Sequence, residues 1–202
     1  MSVVTEPVVV TPGNFNEEDH FYPRVLNAHL HPLIRHVMEM GNERIICRYC
    51  HLHPEADEAA VRKVLCTPPR FFRWGGSDLI HVTTDNGLRR VVIIETNSCP
   101  SGQKSMPRMA ETQEEAGYQT VMEKSFLPAI KRRKKGPKGD LAILYDKNHM
   151  ENSGYAATLA SLTDENVHLV PVMNGAESSF VRFNAERVLE INTNGELSLI
   201  HI

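Results

Sequence analysis

Hydrophobic positions along this chain change period several times, and each change predicts an element. From Tyr22 to Met40, apolar residues at Leu26, Leu30, Leu33, Ile34, Val37 and Met38 recur at helical intervals, with Pro32 splitting the stretch or opening a second helix and Gly41 ending it. Asn42–Cys50 reads as a short strand, and Pro54–Leu65 as a helix closed by Pro68 and Pro69. Asp78–Thr83 and Leu88–Glu95 are strand-like runs flanking the turn-forming Thr84, Asp85, Asn86 and Gly87, which predicts a hairpin. Met106–Arg132 carries an amphipathic helical pattern interrupted by Gly117 and Pro128. Leu141–Tyr145, a helix over about Ser153–Leu162 and Val167–Val172 then form a strand–helix–strand unit, whose strands are expected to be parallel with a right-handed crossover. Short β segments around Asn192–Gly195 occupy Val181–Ile202.

This order predicts an α/β (α+β) protein. A flexible N-terminal arm (1–20) precedes a mixed lobe with a hairpin-containing sheet (21–130); a basic linker (131–138) leads to a small βαβ lobe (139–202). The terminal Leu199, Ile200, His201 and Ile202 read as an apolar strand to be completed by further chain or a partner.

At 202 residues the chain can bury roughly 70% of its unfolded surface. Net charge is −3, from 22 basic and 25 acidic side chains, which disfavours a general nucleic-acid binder. The run Lys131, Arg132, Arg133, Lys134, Lys135 and Lys138 lacks interleaved aromatics and sits beside Gly136 and Pro137, so a solvated linker is favoured. No window approaches the ~20 apolar residues needed to cross a bilayer, and no basic leader opens the chain; the expectation is a cytoplasmic protein without a membrane partner.

The chemistry concentrates in Val91–Pro107, VVIIETNSCPSGQKSMP. Four apolar residues deliver Glu95 and Asn97 to a strand end. Side chains two apart on an extended segment share a side, so this pair presents oxygen ligands to one hard cation, and Asp78 across the hairpin can add another. Oxygen-only ligation with room for phosphate suits Mg²⁺. The same residues also fit a plain strand cap and turn. The continuation, Ser98 through Ser105, is a Gly- and Ser-bearing loop whose amides, hydroxyls and Lys104 can cradle an anion.

Taken in order, Asp78-Leu79-Ile80, Glu95-Thr96-Asn97, Pro100-Ser101-Gly102 and Asn152-Ser153-Gly154-Tyr155 resemble the motifs of the circularly permuted ATP-grasp proteins, relatives of glutathionylspermidine synthase and other carboxylate–amine ligases. The resemblance covers about residues 70–200. It implies Mg²⁺ held by Glu95 and Asn97, with Asp78 a further metal or substrate ligand. ATP would contact Ser101, Gly102, Lys104, Asn152 and Ser153, and Arg73 or Lys104 would neutralise phosphate or carboxylate charge. The implied reaction activates a small-molecule carboxylate as an acyl phosphate and captures it with an amine. The family's later lysine-bearing nucleotide lobe has no counterpart here, so the expectation is a fragment completed by a missing C-terminal lobe or a second chain, the alternative being a non-catalytic ligand-binding or protein-interaction module.

Cys47-x-x-Cys50 with His53 and Cys66 offers ligands for a structural Zn²⁺, but the spacing of the second pair is irregular, which favours ordinary thiols. Cys47–His51 also spells a covalent haem motif, without the export signal such chemistry needs. Among His29, His31 and His36, the intervening Pro32 argues against a shared ligating face. Asn152 and Ser153 read equally as caps of the helix they begin.

Overall fold

A computed structural model describes residues 6–70, 72–97, 102–107, 114–132, 139–172, 180–193 and 196–199. The described residues form a mixed α/β structure with three small sheets. In chain order the elements are β1 (Val8–Val10), α1 (Glu17–His20), α2 (Pro23–Leu26), α3 (Pro32–Met38), α4 (Asn42–Leu52), α5 (Glu58–Cys66), β2 (Gly76–Thr83) and β3 (Arg89–Asn97). Then come α6 (Ala116–Val121), α7 (Leu127–Arg132), β4 (Leu141–Tyr145), α8 (His149–Thr163), β5 (Val167–Pro171), β6 (Val181–Phe183), β7 (Leu189–Thr193) and β8 (Glu196–Leu199). Two compact units result, one from His29–Arg73 and the other from Met1–Ala28 with Trp74–Ile202. The boundaries fall at 28/29 and 73/74, so the basic run expected as a linker does not separate them; its residues 133–138 lie outside the described residues.

The larger unit is organised around α8. Every residue from Gly154 to Ala160 is buried, because the helix is apolar on all sides and is covered by β4 and β5, α6 and α1. β4 and β5 pair in parallel, Leu141 opposite Val167 and Tyr145 opposite Pro171, so the βαβ unit forms as its two apolar runs predict. β1 adds to the free side of β5 in antiparallel fashion, Val8 opposite Leu169 and Val10 opposite Val167. Residues 8–20 are therefore not the free arm the sequence suggested. The three valines complete a sheet in the order β1-β5-β4, and Asn16 then caps α1.

Phe15, Phe21, Tyr118 and Tyr155 meet edge-on in the core beside Leu159 and Val167, with the Tyr118 ring 5.3 Å from that of Phe21 and 5.1 Å from that of Tyr155. The Tyr118 hydroxyl donates to the His20 carbonyl at 2.8 Å, which satisfies the one polar atom this ring carries inside. Between α6 and α7, Met122–Phe126 widens into a π-helical turn, with the Leu127 amide bonded to Met122 O. Pro128 explains it: the ring lacks an N–H and would clash with the carbonyl four residues back, so the helix opens by one residue rather than breaking. β6, β7 and β8 make an antiparallel meander, with Thr193 opposite Glu196; residues 194 and 195 of the expected turn lie outside the described residues.

In the smaller unit, Pro32 opens α3 at its first turn, and His31 accepts the Leu33 amide at 3.2 Å. Asn42–Cys50, expected as a strand, is instead the body of helix α4. The β-branched pair Ile45 and Ile46 suggested extension. Ile45, Ile46, Tyr49 and Leu52 are spaced for a helical face, however, and Ile46 is the residue α4 buries. Asp57 caps α5 by accepting the amides of Ala59 and Ala60. Arg62 of α5 bridges Glu43 at 2.5 Å and Glu58 at 3.1 Å, exposed pairs that contribute little. Among the described residues no helix is long and apolar enough to cross a membrane.

Candidate functional site

β2 and β3 form a two-stranded hairpin closed by Thr84–Gly87, where the Thr84 hydroxyl accepts the Leu88 amide and Gly87 adopts a φ of 78°. Cross-strand pairing is regular from Thr83 opposite Arg89 to Leu79 opposite Ile93, then slips so that Asp78 faces Glu95. Ile94 is the extra residue of this β-bulge. Were the register to run on without this slip, Ile94 would face Asp78 and Glu95 would face Ser77; the slip makes two carboxylates direct cross-strand neighbours on one face. Asn97, two residues on, joins that face and donates from Nδ2 to Glu95 Oε1 at 3.0 Å. All three side chains are exposed, and among the described residues neither carboxylate pairs with a lysine or arginine. Like charges directly opposite destabilise a hairpin, and a cation between them removes the penalty. Two carboxylates and a carboxamide form an oxygen-only donor set that fits Mg²⁺ better than a softer metal.

A second cluster lies at the start of α8. Glu151 is 2% exposed, and its Oε1 accepts the amides of Gly102 at 2.5 Å and Gln103 at 2.8 Å. Gly102 has a φ of 122°, open to glycine alone, and this turn aims two successive amides at one oxygen. Lys104 folds inward: its Nζ donates to Asn148 Oδ1 at 2.9 Å, stands 3.7 Å from Glu151 Oε2 and lies over the Tyr22 ring. Glu151 Oε2 is buried without a hydrogen bond. The amides of Gly102 and Gln103 thus engage one internal carboxylate with the Lys104 ammonium nearby, while the Ser105 hydroxyl donates to Gly102 O.

Asn152 and Ser153 are tied to their own helix. The Asn152 amide donates to the carbonyls of Lys147 and Asn148, both at 3.0 Å, and the Ser153 hydroxyl donates to Met150 O at 3.0 Å. His20 Nδ1 sits 3.1 Å from Ser153 Oγ. Because the hydroxyl proton already goes to a carbonyl, this pair is a structural contact and not an activated nucleophile. Burial pushes the His20 imidazole below its usual range, with His149 adding to the effect and Asp19 and the Met150 carbonyl opposing it.

The structure therefore brings Gly102 and Lys104 to Glu151 and Asn148 at the start of α8, where Asn152 and Ser153 bond within their own helix, and, separately, Asp78 to Glu95 and Asn97. Arg73 ends the smaller unit, where its Nη1 donates to the carbonyls of Pro69 and Phe72 at 3.4 and 3.3 Å. Ser101 lies outside the described residues, as do Ser98, Cys99 and Pro100. Cys47 and Cys50 on α4 and Cys66 at the end of α5 are free thiols, and His53 stacks on Tyr49 with Nδ1 3.2 Å from Glu55. Among the described residues no three His, Cys, Asp or Glu side chains gather as a metal site. Sequence reasoning missed Glu151 and Asn148; the available signal was an acidic residue in the first turn of a helix otherwise built to be buried. No family model matches the chain, and neither a curated protein nor a solved structure matches it.

Proposed function

We propose that the β2–β3 hairpin carries the cation site of a cytoplasmic, ATP-grasp-type ligase fragment that activates a small-molecule carboxylate with Mg²⁺-ATP and joins it to an amine. The observation that supports this reading is the bulge at Ile94, which turns Glu95 to face Asp78 with Asn97 alongside. Bulges re-aim side chains beside active sites, and here the result is a paired-carboxylate face that is costly unless a cation joins it. Asp78, Glu95 and, after rotation of its amide, Asn97 Oδ1 would hold Mg²⁺; the ion supplies neutralisation of phosphate charge. Calorimetry with ATP and Mg²⁺ tests this. Binding that requires Mg²⁺ and drops at least about tenfold in Glu95→Gln supports it. Equal binding by both proteins refutes the metal assignment.

One observation favours a second reading, a non-catalytic ligand-binding or interaction module: two of the loop's amides, those of Gly102 and Gln103, are already engaged by Glu151. Trapping acyl phosphates with hydroxylamine over a panel of carboxylic acids separates the two. ATP-dependent hydroxamate marks the ligase, and Mg²⁺-ATP binding with no hydroxamate marks the module.

A further inference from the structure

The Gly102–Lys104 loop has the shape of an anion site. Gly102, at a φ of 122°, orients its own amide and that of Gln103 toward one point, and a lysine ammonium stands beside it. Such concavities bind phosphate and carboxylate oxygens alike, since both present compact negative charge to convergent N–H groups. In this chain the point of convergence is occupied by Glu151 Oε1.

The seating is lopsided. Oε1 receives both amides, whereas Oε2 is buried, makes no hydrogen bond and has the Lys104 ammonium only at 3.7 Å. Lys104 spends its one short contact on Asn148 Oδ1, at 2.9 Å. A carboxylate that is buried and only half satisfied carries an unrecovered desolvation cost. A phosphate offers more oxygens to the same donors. We propose that the loop is a self-ligated anion site: Glu151 fills it in the resting protein, and a phosphate-bearing ligand binds by displacing that side chain and drawing Lys104 after it. This rests on the reading of the loop as the nucleotide-phosphate contact and adds its regulation; the ligand class is a di- or triphosphate.

The test uses inorganic pyrophosphate with chelator present, so that no divalent cation and no role of Glu95 enters. Glu151→Gln keeps the volume and one acceptor oxygen but removes the competing charge. Calorimetry is expected to show it binding pyrophosphate about tenfold or more tightly than the unsubstituted protein, because the like charge that competes for the site is gone. Equal or weaker binding by Glu151→Gln overturns the proposal and makes Glu151 a permanent staple, while leaving the hairpin cation site to be judged by its own Mg²⁺ experiment. Should Glu151→Gln fail to fold by circular dichroism, the unsubstituted protein decides. On titration with pyrophosphate, the amide resonances of Gly102 and Gln103 and the Glu151 carboxyl carbon move together if displacement occurs. A titration that leaves them in place overturns it.

Discussion

Gly154 lies against Tyr118 so closely that a Cβ there would sit 2.7 Å from the ring's Cζ. The ring cannot retreat, being fully buried, wedged between Phe21 and Tyr155 and anchored by its hydroxyl on His20 O. Gly154→Ala is therefore expected to destabilise by about 1–3 kcal/mol. Thermal denaturation should show a fall of about 2–4 °C for each kcal/mol in a chain of this size. Burial of His20 produces a different signature. The unfolded chain takes up a proton near pH 6.5, but the folded imidazole resists it, so the unfolded state binds more protons as pH falls below that value. Stability is then lost from about pH 6.5 toward pH 5, before carboxylates titrate. His20→Gln flattens that part of the melting-temperature profile; an unchanged slope would assign it to other groups.

At the scale of elements, the hairpin and the βαβ unit were legible because their signals are local. Thr84 to Gly87 supplies a turn, and apolar runs at Leu141–Tyr145 and Val167–Pro171 flank one buried helix. The opposition of Asp78 and Glu95 followed from the hairpin alone, yet the bulge that makes it direct has no mark in the sequence. Deleting Ile94 is expected to restore regular pairing with Glu95, now directly after Ile93, still opposite Asp78. Mg²⁺-dependent ATP binding should then persist with circular dichroism unchanged; its loss would show that the bulge geometry itself, and not only the Asp78–Glu95 opposition, is required. What was not legible needed distant partners. Glu151 meets the Gly102 amide from 49 positions away, and β1 finds β5 across nearly the whole chain. The α4 reading failed for a local reason: Ile45 and Ile46 are β-branched, but the spacing to Tyr49 and Leu52 outweighs that preference. The hairpin also leaves Ile93 63% and Ile94 60% exposed, on a sheet of only two strands. Such surfaces pair with one another, so Ile93→Lys is expected to delay the onset of light scattering on concentration.

For the molecule as a whole, the larger unit holds both candidate clusters, and a ligand bound there stabilises it by mass action. At a hundredfold excess over Kd the gain is about 2.7 kcal/mol, which differential scanning fluorimetry reads as a higher melting temperature. Mg²⁺-ATP is expected to give that shift in the unsubstituted protein and about half of it or less in Glu95→Gln at the same ligand concentration. The sheet order β1-β5-β4 carries a further consequence, in time rather than energy. Its central strand is the last of the three to be synthesised, and Val10 cannot meet Val167 until nearly all the intervening chain exists. At translation rates of about 5–20 residues per second, β1 waits on the order of ten seconds with its backbone unpaired. β1 thus leaves the ribosome well before the strand that seats it, and closing this sheet is a long-range step in folding.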